Sequence, residues 1–538
     1  MATSKSPDAS RKSVVVPFAE GLQDARLGLA ENVVLYEQKD AFNGEFKYFS
    51  LRPNIVEHGE VTEGGGASIG APIDVSQWEP ALAVNLMLAT TLNVYSTQPN
   101  TLASAIPILT GADLTNYRNN ASVYNPKLVK YQNVATVGNS YLYTLDTVSS
   151  VLYNITNIGV GAYTTIALGF SPCPVGTYMD GYCFVAQFRG DTIYNSNLND
   201  ITVWNTGVNN IRATQFTGEI RALARQANYI LAFKENSIEY FYNAGLTNTS
   251  PLQRQVSYTK RVGLAFTNSL AQRGDTFYFI GQENGEQECG VYSLTNNTID
   301  KISTPEVDRY LIQLLNASPN TNSILSYCIK VNNKEMYFLT NKGDAAVGSP
   351  RNFTLVYDST TKTWATWYAS TSSMFPLTCT TTFSFLGGIS FLDPRLLVGG
   401  TAKTYQVNLG VPNSYFNDCR TKDTLLGQYS SILATLRIPS FDFGTGNRKF
   451  MHEMSLSSIA PQGMQHQVTF TKTVGGNRQT IAKATGNGDN MNFKNWGQFV
   501  SGYVTYFMYD PTISSFAGFD ASQIRMNGVN MEISQGIS

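Results

Sequence analysis

A β-hairpin theme returns every ~45–60 residues through the middle of the chain, which is the period of propeller blades and too long for leucine-rich or ankyrin units. Residues 133–137 and 141–145 flank Gly138-Asn139, residues 182–188 and 192–195 flank Arg189-Gly190-Asp191, and residues 229–233 and 237–242 flank Lys234-Glu235-Asn236. Residues 276–280 and 290–294, then 336–340 and 353–357, enclose longer polar loops, and 387–391 is followed by 396–398 and 404–408. Each run is rich in aromatic and β-branched residues and broken by Asn, Gly or Asp, as strands and turns require. Six such hairpins predict an all-β chain built around a six-bladed β-propeller. Helical periodicity is nearly absent. The exception follows Ser303-Thr304-Pro305-Glu306, where Val307, Tyr310, Leu311, Leu314 and Leu315 fall on one helical face. Ser303 and Glu306 read as a capping box with proline in the first turn.

The propeller is expected over residues 126–415. Residues 1–125 read as an N-terminal arm and platform-like region, with a hairpin at 33–36 and 46–51 and a hinge at Gly64-Gly65-Gly66. Residues 416–538 carry alternating strands at 432–438, 467–474 and 502–507 and predict a C-terminal β-sandwich-like domain.

Only 14% of the 538 residues are charged, against about 25% in ordinary soluble proteins, and the net charge is −1. With 42% apolar residues the chain buries a core and is not disordered. Near-neutrality excludes a polybasic face that grips nucleic acid by counterion release. No segment reaches the ~18–20 uninterrupted apolar residues of a membrane span; the longest approach, residues 81–95, is broken by Asn85, Thr90, Thr91 and Asn93. The first twelve residues lack the apolar stretch of a signal peptide, so a cytosolically made protein is expected. Six scattered cysteines (Cys173, Cys183, Cys289, Cys328, Cys379, Cys419) form no CxxC pair and read as ordinary thiols. The sequons at Asn154, Asn248 and Asn352 read as a by-product of Asn and Thr richness.

Each chemical motif has a plainer structural reading. The three histidines, His58, His452 and His466, sit in no nucleophile setting such as GxSxG. Gly444-Thr445-Gly446-Asn447-Arg448-Lys449 lacks the Ser/Thr and helix of a phosphate loop. Asp191, Asn195, Asn197, Asn199 and Asp200 lack the glycine and distal glutamate of a calcium loop. Arg189-Gly190-Asp191 spells an adhesion tripeptide, but a tight turn needs the same residues. Asp358-Ser359-Thr360-Thr361-Lys362-Thr363-Trp364 resembles a kelch-type blade, in which the Asp accepts turn amides and the indole packs between blades; a glycosidase Asp-box would need a glycine that is missing. The sequence therefore names no catalytic, cofactor-binding or metal-ligating residue, and no cofactor.

The order of local motifs resembles the packaged-DNA stabilisation family, the tail hub or nozzle proteins of short-tailed bacteriophages. Tyr178-Met179-Asp180-Gly181-Tyr182 is followed by Asn195-Ser196-Asn197-Leu198-Asn199-Asp200-Ile201-Thr202-Val203-Trp204 and by Asn236-Ser237-Ile238-Glu239-Tyr240-Phe241. Then come Lys260-Arg261-Val262-Gly263-Leu264-Ala265, Val291-Tyr292 and Ile302-Ser303-Thr304 with the short helix. The similarity spans residues 30–410. It implies a virion tail component without enzymatic activity: a homohexamer below the portal and adaptor proteins that extends and closes the DNA channel. It further implies retention of the packaged genome, its conduction during ejection without sequence-specific contacts, and anchorage of tail fibre, spike or plug proteins. The competing class is a carbohydrate-binding or carbohydrate-cleaving propeller, which would need paired carboxylates about 5–10 Å apart in one pocket.

Overall fold

The computed structural model describes residues 12–17, 30–40, 44–52, 55–78, 85–98, 104–132, 140–283, 289–316, 324–331, 334–341, 353–368, 375, 377–384, 394–399, 403–407, 417–419, 429–431, 434–438, 449–459, 464–474, 477–487, 491–497, 501–508 and 525–535. Among them the chain is almost all β, with two α-helices, Gly111–Tyr124 and Pro305–Asn316. Six antiparallel sheets of consecutive strands follow one another over residues 72–107, 129–167, 177–212, 220–254, 262–301 and 324–366. The expected six-bladed β-propeller arrangement is built from such sheets: the hairpins read at 133–145, 182–195, 229–242, 276–294 and 336–357 fall in the last five of them, and the one read at 387–408 falls on Pro394–Gly399 and Lys403–Val407 of a further sheet. The first of the six sheets lies in the segment read from the sequence as the N-terminal region.

A blade packs on a neighbour through each face, so its middle strands are apolar on both sides. The fourth blade shows how the two-residue period divides them. Leu223, Ile230, Ala232, Phe241 and Leu252 join the core shared with the third blade. Their alternates Ala222, Ala224, Leu231, Phe233, Ile238 and Tyr240 join the core shared with the fifth. Both sets are buried because period-2 side chains point to opposite faces of one sheet.

A further sheet stands between the sixth blade and the first. Cys379–Ser384, Pro394–Gly399 and Lys403–Val407 run antiparallel, and Ile55–Glu60 adds the next strand, with Lys403 opposite Glu60 and Val407 opposite Ile55. Cys379 packs with Val61, Val75, Leu86 and Tyr95 beside the first blade, and the Thr378 hydroxyl donates to the Pro72 carbonyl at 3.1 Å. The circle is thus completed by strands more than 340 residues apart.

The predicted N-terminal hairpin forms as Val33–Asp40 and Gly44–Leu51, and a buried knot fastens it to the sixth blade. Arg52 is fully buried; its Nε donates to Asn32 Oδ1 at 3.0 Å, a terminal nitrogen donates to the Tyr368 carbonyl at 3.0 Å, and its guanidinium lies 4.9 Å from the Phe375 ring centroid. The Trp367 indole donates to the Val33 carbonyl at 3.2 Å. Arg52→Ala removes both hydrogen bonds and the ring contact and is expected to cost about 2–3 kcal/mol, since hydrogen bonds to charged groups are the stronger ones. Limited proteolysis should then release the N-terminal segment earlier than in the unmodified chain; unchanged resistance would show that the knot does not hold it.

Gly64-Gly65-Gly66, read as a hinge, is a closed turn: the Glu63 amide donates to the Ala67 carbonyl at 3.0 Å and the Gly66 amide to the Glu63 carbonyl at 2.9 Å. Of the C-terminal strands, Asn417–Cys419 and Tyr429–Ser431 extend the closing sheet beyond Ile55–Glu60, and the others described lie in two further sheets. Arg525–Gln535 pairs with Lys449–Ile459 and with the N-terminal strand Lys12–Pro17, while Ser501–Met508 lies between Ala434–Ile438 and Met464–Val474. Ala30–Glu31 links that second sheet to the sixth blade, pairing parallel to Thr363–Thr366 and antiparallel to Thr435.

Candidate functional site

The residues that gave the chain its resemblance are the ones that close turns and join blades. At the third blade, Asp180 and Gly181 turn with positive φ (52° and 85°), and the Tyr178 hydroxyl donates to the Gln132 carbonyl of the second blade at 2.9 Å. The following loop folds on itself: Asp200 Oδ1 accepts from the Thr202 amide at 2.9 Å and hydroxyl at 2.6 Å, and the Trp204 indole donates to the Ile201 carbonyl at 2.7 Å.

The fourth blade holds a buried charge cluster. Glu239 and Lys234 are 0% and 1% exposed, and Lys234 Nζ lies 3.2 Å from Glu239 Oε1. That oxygen also accepts the Gln215 amide at 3.1 Å, and Lys234 donates to the carbonyls of Ala213 (2.6 Å) and Phe216. Arg254 Nε stands 3.2 Å from Glu239 Oε2. The cluster therefore binds the hairpin of the fourth blade to the segment leaving the third. One turn further on, Gly263 brings the inner strand of the fifth blade against the Glu235–Asn236 backbone of the fourth, where no side chain fits. The fifth blade ends in kind: the Val291 carbonyl accepts the amides of Ile302 (2.9 Å) and Ser303 (3.2 Å), and the Val291 amide donates to the Ser303 hydroxyl at 3.0 Å.

Ser303 is thus committed to the fifth blade, and the helix Pro305–Asn316 is capped by its neighbour. Thr304 Oγ1 accepts the Val307 amide at 3.4 Å, one position later than the capping box read from the sequence. Val307 and Leu311 are buried and Tyr310 packs against the same core, as the periodicity predicts. The kelch-like element also forms as read. Asp358 Oδ1 accepts the amides of Thr360 (2.9 Å) and Thr361 (3.4 Å), while its other oxygen meets buried Lys334 at 2.6 Å. The Trp364 indole donates to Ile302 of the fifth blade at 2.8 Å.

The weighed chemical motifs resolve into local structure. Arg189 takes φ +54° and lies over Phe188 at 5.3 Å, and Asp191 accepts both arms of Arg212 at 3.0 and 2.9 Å. The tripeptide is a turn whose carboxylate is engaged. The Arg212 hydrogen bonds hold the Asp191 carboxyl below its ordinary range. The pair therefore stabilises the fold above about pH 4 and loses that contribution as pH falls through the lowered value. Asp191→Asn should flatten this acid limb in urea titrations at successive pH values, by a small amount because Arg212 is largely exposed.

Of the proposed calcium loop, Asn195 is buried and donates to the Ser196 carbonyl, and Asn197 accepts from Asn209. The Asn154 sequon is buried, with its side chain accepting from the Tyr131 hydroxyl at 2.7 Å. Cys173, Cys183, Cys289 and Cys379 are buried cysteines outside any disulfide and Cys328 is partly buried; burial pushes the Cys289 thiol up to about 11. His58, His452 and His466 lie in strands Ile55–Glu60, Lys449–Ile459 and Met464–Val474, and their side chains fall outside the described residues. Residues 444–448 and the Asn352 sequon fall outside them too, as does the Gly138-Asn139 turn.

Closely packed blades, glycine-dependent approaches and buried ion pairs define a β-propeller. Residues 123–374 match the family described as "Bacteriophage P22 Gp10, beta-propeller", and all the resemblance motifs lie inside that span. That match supports, for this propeller, a phage tail hub and nozzle family of structural proteins. No curated protein matches the chain. Solved structures similar to it include BamB from Moraxella catarrhalis, at 11% identity and TM-score 0.33, over 62% of this chain and 94% of that one. Others are the N-terminal domain of Nup159 (7%, TM-score 0.34, 71% and 98%) and puromycin hydrolase (8%, TM-score 0.31, 69% and 59%).

Proposed function

We propose that the chain is the tail hub or nozzle of a short-tailed phage particle. Six copies form a ring beneath the portal and adaptor proteins, extending and closing the DNA channel. The ring retains the packaged genome, conducts it during ejection, and offers its outside to tail fibres, spikes or plugs. It is made in the host cytoplasm and works in the virion tail, without enzymatic activity. The observation that carries this reading is the family match over residues 123–374.

Charge supports it. Each Lys or Arg contact to phosphate adds affinity, and so friction, to a passing duplex. A chain with 14% charged residues and a net charge of −1 is suited to a passage that lets DNA slide. In this reading the loops facing the lumen are neutral or acidic. Its 12% aromatic content suits subunits that bury surface against neighbours, because interface cores are enriched in aromatics and depleted of charge. A cyclic ring needs a heterologous contact whose rotation closes. Native mass spectrometry of the purified chain, with adaptor present, tests the assembly. A species at six times the 59.1 kDa subunit is expected; a persistent monomer that cleaves polysaccharide would replace this reading with the carbohydrate-active one.

A further inference from the structure

The innermost strands of the second to fifth blades line an open pocket of about 560 Å³. That volume falls within the range of about 300–1,000 Å³ typical of small-molecule sites. Its wall carries three cations, Lys127, Lys130 and Arg225, against a single carboxylate, Asp275. Lys127 leans toward Asp74 of the first blade at 3.8 Å. Arg225 is exposed; its Nε donates to the Ala227 carbonyl at 2.8 Å, and it has no carboxylate partner among the described residues.

The wall is fixed by bonds between blades. The Lys127 amide donates to Pro174 at 3.4 Å and the Leu223 amide to Val175 at 3.3 Å. Gln272 of the fifth blade donates to the Arg225 carbonyl at 2.9 Å, and Gln226 of the fourth donates to the Asp275 carbonyl at 2.6 Å. Cationic side chains are therefore presented from the second and fourth blades on a frame that does not have to order itself on binding, which lowers the cost of association. Ammonium and guanidinium groups match phosphate and carboxylate oxygens, the guanidinium through paired donors. A pocket of this size accepts a compact molecule and not a duplex.

We infer that this pocket binds a compact multivalent anion, an oligophosphate or a polycarboxylate, with Arg225 as its principal contact and Lys130 beside it on the wall. The inference stands apart from the assembly of the ring. Calorimetric titration of the full chain with tripolyphosphate and, separately, with citrate tests it. Saturable binding of one anion per chain is expected, weakened at least tenfold in the Lys130→Gln/Arg225→Gln double variant and unchanged in Lys362→Gln, whose lysine lies in a different groove. Tighter binding of tripolyphosphate assigns the site to phosphates; tighter binding of citrate assigns it to carboxylates. Both substituted side chains are exposed, so thermal unfolding should not change. Absence of binding at millimolar anion, or equal binding by the double variant, would overturn the inference.

Discussion

Gly263→Ala is expected to be among the most damaging single substitutions in the propeller. A Cβ at this position would overlap the carbonyl group of Glu235 and the amide nitrogen of Asn236. Those are backbone atoms in the turn of the neighbouring blade, and they cannot swing aside as a side-chain tip would. The inner strand of the fifth blade must then move outward. Doing so disturbs its pairing with Thr276–Glu283 and the core around Val262 and Leu264. Overpacking a well-filled core typically costs about 1–3 kcal/mol and sometimes more; with backbone on the far side, about 3 kcal/mol or more is expected. Gly64→Ala is the matched control, since a Cβ there meets nothing within 4 Å and its φ lies outside the left-handed region. Urea unfolding of both variants would decide the matter: equal midpoints would mean that the blades do not approach as closely at Gly263 as described.

Glu239→Gln should be comparably severe, for an electrostatic reason. Lys234 is surrounded by protein, and its positive charge is balanced there by Glu239. Removing that carboxylate leaves a buried ammonium facing carbonyl oxygens alone, and breaking such a pair typically costs about 3–5 kcal/mol. Arg254, also drawn to Glu239, loses its counter-charge at the same time. Replacing both partners, as in Lys234→Met with Glu239→Gln, should recover part of the loss, because no uncompensated lysine remains. Equilibrium unfolding of the two single variants and the double gives the coupling directly. A double variant no better than Glu239→Gln alone would show that Lys234 is not what makes the carboxylate necessary.

These two sites also show what a sequence can and cannot disclose. Gly263 and Glu239 stand inside short motifs that were legible as a pattern, yet their reasons lie across a blade boundary. Gly263 answers to Glu235, and Glu239 to Arg254 and the Gln215 amide. Local chemistry was readable where cause and effect lie within a few residues. The Asp358 turn, the Arg189-Gly190 turn and the buried face of the helix Pro305–Asn316 are of that kind. The cap of that helix shifted by one residue because the Ser303 hydroxyl is taken by the Val291 amide.

The helix Gly111–Tyr124 escaped notice because its buried face is Tyr117, Asn120 and Ala121. Its asparagine is polar to the eye but satisfied inside, donating to the Leu145 carbonyl at 3.1 Å and accepting the Thr147 amide at 2.9 Å. Nor does any local signal reveal that Ile55–Glu60 completes a sheet with Lys403–Val407, or that Arg52 is buried beside Tyr368. Both depend on contacts between distant segments, and hydrophobic periodicity carries no record of partners. The anion pocket is equally hidden, since its cations come from separate blades and only the circle of blades within one chain brings them together.

The central claim is that the chain is a ring-forming component of a phage tail, and imaging of the whole particle that carries it tests this most directly. Antibody-labelled particles, averaged about the tail axis, should show six copies of the propeller around the DNA channel immediately below the portal and adaptor. Label found away from that axis, or particles that lack the chain altogether, would contradict the account.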